Sequence, residues 1–108
     1  MTQEGQLLDL KSLRAVTGNT ADWKEIAKDC IAFANASGGR LLLGIEDGCD
    51  APPTDQCIAS DLLDKLRRKL AECTVNLTVL PTIITDPNGG QYIDLQVLRA
   101  MAVASTTD

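Results

Sequence analysis

The 108-residue chain contains no histidine. That removes the side chain that most often serves as a general base near neutral pH and as a metal ligand. Its four cysteines, Cys30, Cys49, Cys57 and Cys73, stand 19, 8 and 16 positions apart. No pair has the Cys-x-x-Cys spacing of a zinc knuckle or a dithiol redox site. Reduced, mostly structural thiols are expected. Aromatic residues are scarce, with Trp23, Phe33 and Tyr92 the whole set. A single-strand binder that stacks successive bases on aromatic rings needs more of them. No apolar run is long enough to span a membrane, and the N-terminus lacks the basic-then-apolar layout of a secretory signal. A cytoplasmic location is expected. There is no Gly-x-x-x-x-Gly-Lys-Ser/Thr loop, and Gly38-Gly39 follows a helix and precedes a strand, the reverse of a dinucleotide fingerprint. Positive charge is also short: ten Lys and Arg face fifteen Asp and Glu, a net charge of −5. A strong sequence-independent grip on phosphates scales with Lys and Arg contacts and is not expected.

The residues present describe one domain with room for one modest core, since 44% of them are hydrophobic. Residues 6 to 13 alternate as a first strand would. Asn19 or Thr20 is the expected cap of a helix with Asp22 in its first turn. Trp23, Ile26, Ala27, Cys30, Ile31 and Ala34 then recur at helical spacing, while Lys24, Glu25, Lys28 and Asp29 fill the other face. Gly38-Gly39 stops the helix, and Leu41, Leu42, Leu43 and Ile45 form a short apolar strand over residues 40 to 46, of the kind buried on both faces. Gly44 inside that run implies a bulge or a close backbone neighbour. Residues 47 to 58 read as a loop. Ser60 caps a second helix whose stripe is Leu62, Leu63, Leu66 and Leu70. Val75, Leu77 and Val79 begin a strand that resumes at Ile83 and Ile84; Pro81 within it implies an edge position or a bend. Asp86-Pro87-Asn88-Gly89-Gly90 is a turn, and Ile93, Leu95 and Val97 mark the last strand. The small, polar tail from Met101 is expected to fray.

This β-α-β-α-β-β order predicts an α+β fold, a two-layer sandwich with two helices on one face of a four-stranded mixed sheet. Trp23, Cys30, Ile31, Leu43, Leu66 and Leu95 should share its core.

Charge is unevenly placed. Six acids lie between Glu46 and Asp64 with no base among them, and Lys65, Arg67, Arg68 and Lys69 follow at once. A local basic patch can bind nucleic acid despite a negative total. The plainer account is a solvated helix end whose bases suit the macrodipole.

Ala-Phe-Ala-Asn-x-x-Gly-Gly (residues 32–39), then the apolar strand, then Gly-Ile-x-Asp (residues 44–47), resembles the Schlafen/AlbA-like DNA-binding domain of bacterial regulators and animal Schlafen proteins. The same pattern asks upstream for a Glu, four residues, an acid, one residue and a Lys, met here by Glu4, Asp9 and Lys11. The likeness extends to about Arg99, and the layout is similar to that of Alba chromatin proteins and of the C-terminal domain of translation initiation factor 3. The family continues with a strand carrying an Arg-Val-Gly-like segment, which this chain lacks, so a single domain at the N-terminal end of a longer protein is expected.

Three functions follow from the resemblance. The first is a DNA- or RNA-binding module of a bacterial transcriptional regulator, with Lys11, Arg14 and Arg40 at the sheet end and Lys65, Arg68 and Lys69 from the second helix as contacts. The second is a nuclease. Glu4, Asp9 and Asp47 match the three acids with which animal Schlafen nucleases carry out metal-assisted RNA cleavage. Three converging carboxylates would hold Mg²⁺ or Mn²⁺, and Lys11 would stabilise developing charge. The ordinary alternative expects Glu4 to be a mobile N-terminal residue, Asp9 to cap a strand and Asp47 to belong to a turn. The third is a dimerisation domain without nucleic-acid binding. A homodimer is expected in any case, through spare apolar residues including Leu80, Leu98 and Met101. Longer relatives carry an ATP-binding label that the resemblance extends to this chain, but no phosphate-binding loop supports it. The histidine-containing zinc site of some Schlafen proteins has no counterpart.

Overall fold

A computed structural model describes residues 7–107. Strand β1 (Leu7–Lys11) leads through two short 3-10 turns, Leu13–Val16 and Gly18–Thr20, into helix α1 (Trp23–Asn35) and strand β2 (Gly39–Leu43). A long loop reaches helix α2 (Asp61–Cys73), followed by β3 (Thr74–Val75), β4 (Val79–Thr85), β5 (Gln91–Val97) and β6 (Ser105–Thr106). The main sheet has the order β1-β2-β5-β4. β1 runs parallel to β2, and β5 runs antiparallel to both β2 and β4. The mixed four-stranded sheet with two helices is the architecture the sequence predicts.

Alternation along the central strands decides where the core lies. Leu41 and Leu43 of β2 and Ile93, Leu95 and Val97 of β5 are buried, and they register against one another. On that face they meet Ile26, Cys30 and Ala34 of α1 and Leu62, Leu66 and Leu70 of α2 in one continuous cluster. Each helix therefore places its apolar stripe on the same side of the sheet. Cys30, Leu43, Leu66 and Leu95 are fully enclosed, while Trp23 and Ile31 pack at the edge of the cluster, half-buried. Burial pushes the Cys30 thiol up to about 12, which keeps it protonated. Cys49 and Cys57 are exposed on the long loop, so the thiols are less uniformly structural than expected.

The motif glycines are explained by close approach. Phe33 accepts the Gly38 N–H at 2.8 Å, and Gly38 has φ +87, which ends α1 and turns the chain into β2. A Cβ on Gly39 would lie 2.8 Å from the Phe33 ring and from the Leu7 carbonyl. Gly44, with φ +116, lets the Gln56 amide donate to its carbonyl at 2.9 Å; a Cβ there would meet the same amide at 2.6 Å. Gly44 lies just past β2, which ends at Leu43 rather than at residue 46. Its nearest neighbour is the Gln56 side chain, with Tyr92 next, its backbone 3.3 Å from the same Cβ position. Gln56 also donates to the Gln91 carbonyl and holds the long loop on β5.

Three local expectations change. The α1 cap is Asp22, whose carboxylate accepts the Glu25 N–H at 3.2 Å; Asn19 and Thr20 belong to the preceding 3-10 turn, and the Thr20 hydroxyl donates back to Arg14 and Thr17. The strand expected from Val75 to Ile84 is two strands, because Asn76 takes the left-handed conformation at φ 63. β4 then runs unbroken through Pro81, which it tolerates as the sheet's edge strand. The C-terminal tail is docked. Ala100 donates to the Ala34 carbonyl, Thr107 donates to Cys73, and β6 pairs with β3. The Asn35 amide grips both backbone groups of Ala104, accepting its N–H at 2.8 Å and donating to its carbonyl at 2.9 Å. Ala104 is 3% exposed as a result.

Candidate nucleic-acid interface

Lys11 and Asp9 project from β1 toward α1. Lys11 Nζ lies 3.0 Å from Asp29 Oδ2 and 3.5 Å from Asp9 Oδ2. Asp29 Oδ2 is buried with no directed hydrogen bond, so the ammonium is its compensation. The Asp29 partnership raises the Lys11 pKa, with burial opposing and Asp9 adding a smaller contribution. A raised folded-state pKa stabilises the fold below the ordinary ammonium value of 10.5, and the stabilisation is lost as pH climbs through the folded value. Wild-type protein should therefore lose more urea resistance than Lys11→Met does as pH rises above 10.5. Parallel alkaline losses in the two proteins would show that this ion pair contributes nothing.

Arg40 lies on the opposite face of the sheet. Its Nε and Nη2 reach the two carboxylate oxygens of Asp94 at 3.1 and 2.6 Å, a bidentate pair. Arg67 pairs with Asp64. The other bases behave differently. Arg14 is exposed on the 3-10 turn Leu13–Val16, whose first N–H groups Ser12 caps. Lys65 lines a shallow hollow shared with Leu13, Thr17 and Gly18 of that region, so the start of α2 and the Arg14 turn are neighbours. Arg68 and Lys69 follow one helical turn along α2.

Lys24 and Lys28 were not singled out as contacts by sequence reasoning. They stand one turn apart on α1 and line a hollow with Glu72 and Cys73 of α2 and with Thr106 and Thr107. The signal present in the sequence was the four-residue spacing; that this flank faces α2 depends on tertiary packing. Arg14, Lys24, Lys28, Lys65, Arg68 and Lys69 make no ion pair among the described residues.

Of the acids, Asp61 shares the first hollow with Lys65 and Glu72 the second with Lys24 and Lys28. Glu46, Asp47 and Asp50 are exposed on the loop beyond β2, and so is Asp55. Asp9 is engaged with the Leu10 N–H at 2.9 Å and with Lys11. Among the described residues no group of three His, Cys, Asp or Glu side chains is placed to hold a metal ion. The expected acidic trio includes Glu4, which lies outside them. Leu80, Leu98 and Met101 are exposed. Among the described residues no helix is long and apolar enough to cross a membrane.

No curated protein matches this chain. A family model does: that of the Schlafen, AlbA_2 domain aligns with residues 4–101, nearly the full length. The match spans the helix end at Asn35, the two glycines, the buried strand and both helices of the layer just described. On that match, the chain belongs to the Schlafen/AlbA_2 family.

Proposed function

We propose that this domain is a regulatory nucleic-acid-binding module whose contact surface is the helical layer rather than the sheet end. The observation that carries the reading is the set of six bases on the helices and the adjoining 3-10 turn that have no ion-pair partner among the described residues. Lys65 lines one hollow, beside the 3-10 turn that carries Arg14. Lys24 and Lys28 line the next, and Arg68 and Lys69 complete the α2 surface. Lys11 and Arg40 are held by carboxylates and contribute less, because a phosphate would have to displace Asp29 or Asp94. With a net charge of −5, binding to DNA or RNA is weak and steeply salt-dependent.

Fluorescence anisotropy on labelled duplex DNA and on RNA tests this. Replacing Lys65, Arg68 and Lys69 together with Gln should weaken binding by roughly a hundredfold at low salt and reduce the log–log salt slope by about 2.7. Arg40→Gln should change affinity less than threefold. Equal losses in the two variants, or none in the first, would move the interface off the helices. Adding Mn²⁺ separates binding from cleavage. Strand scission that disappears in Asp47→Asn would replace this reading with the carboxylate one.

A further inference from the structure

The asparagine of the Ala-Phe-Ala-Asn segment carries no charge and lines neither basic hollow. It nonetheless decides whether the second hollow is complete. Asn35 ends α1 and holds both backbone groups of Ala104. Ala104 directly precedes β6, and Ala100 is fastened to the same end of α1 through the Ala34 carbonyl. Seated in this way, β6 pairs with β3 and packs on α1, and Thr106 and Thr107 line the hollow with Lys24, Ala27 and Lys28. Register fixes what β6 offers there. Thr107 donates its N–H to Cys73, so Thr74 and Thr106 form the pair of this ladder that exchanges no hydrogen bond. The Thr106 N–H and carbonyl therefore turn away from β3. The Thr107 hydroxyl is spent on the Glu72 carbonyl at 3.1 Å.

We propose that Asn35 is a positioning residue for nucleic-acid binding: by seating the tail it completes the Lys24–Lys28 hollow, which takes one backbone phosphate. The role rests on the helical-layer reading above. Two ammonium groups with the N–H and hydroxyl of Thr106 beside them suit a phosphate, whose usual partners are Lys, Thr and backbone N–H groups. Glu72 is the one acid lining the hollow and leaves it a net positive charge. Without the tail, Lys24 and Lys28 are two long side chains on an open helix face. Holding both on one phosphate then costs their rotamer freedom, with no neutral donor alongside. Asn35 acts on the phosphate only through the tail, which separates it from the bases themselves.

Anisotropy on the full chain, with labelled duplex DNA and RNA, tests the role as a coupling between sites. Asn35→Leu should weaken binding at least about fivefold, although it changes no charge. In a Lys24→Gln/Lys28→Gln background the same substitution should cost less than about twofold, because the phosphate it positions is no longer held. In a Lys65→Gln/Arg68→Gln/Lys69→Gln background it should again cost at least about fivefold, since those bases lie outside the hollow. A merely structural role would lower the folded fraction, which circular dichroism reads, and weaken every background alike. Equal losses in all three backgrounds would therefore overturn the proposal. Tighter binding by Asn35→Leu would overturn it too, making the tail a competitor of the phosphate. If Asn35→Leu binds as wild type while Lys65→Gln/Arg68→Gln/Lys69→Gln is weakened, the positioning role falls and the helical-layer reading stands. If neither variant is weakened, both fall.

Discussion

Leu66→Ala is expected to lower the unfolding free energy by about 2–5 kcal/mol. Leu66 is fully buried in the cluster that joins α2 to α1, β2 and β5. Truncation removes three carbons from a site bounded by two helices and a sheet, and none of those elements closes the gap without losing its other contacts. Against a typical domain stability of about 5–15 kcal/mol, that loss is a large share. For a domain of this size it should appear as a fall in melting temperature of at least about 10 °C. Thermal unfolding followed by circular dichroism provides the measurement. A loss under about 1 kcal/mol would mean that α2 is not anchored through this side chain.

The second large effect is at Asn35, the asparagine of the Ala-Phe-Ala-Asn segment. Asn35→Leu removes the one amide that satisfies both the N–H and the carbonyl of buried Ala104. Each orphaned group costs about 1–3 kcal/mol if it stays buried. The tail should escape that penalty by detaching, so amide hydrogens of residues 98–107 should exchange at least tenfold faster while those of β2 and β5 keep their protection. Asn35→Asp should behave similarly, because it retains the acceptor but sets a carboxylate oxygen against the Ala104 carbonyl. Unchanged exchange in both variants would place the hold on the tail in the β3–β6 pairing instead.

What was legible in the sequence followed from local periodicity. The stripe Ile26, Ala27, Cys30 and Ala34 gives α1 its buried face, and the apolar run after Gly38-Gly39 gives β2; both are set by spacing alone. What escaped was set by partners far along the chain. Arg40 reads as an available base until Asp94 is placed beside it, 54 residues away. The tail reads as frayed until Asn35 meets Ala104, 69 residues away. The strand from Val75 splits because Asn76 adopts a positive φ, which composition permits but does not demand. The candidate interface was half legible for the same reason. The bases of α2 stand out as a run, whereas Lys24 and Lys28 gain significance only once α1 and α2 lie side by side.

The position of β2 has a consequence for how the chain reaches this state. β2 is central, flanked by β1, made before it, and β5, made long after: Leu41 registers with Leu95. At about 5–20 residues per second of synthesis, β2 waits roughly 3–10 s for its second neighbour. During that interval one side of β2 presents open backbone groups. Such late, long-range pairing slows folding and lengthens the time in which two nascent chains can join through the wrong edge. Chains cut short before β5 should accumulate as aggregates, so the yield of soluble protein depends on synthesis running at least through Val97.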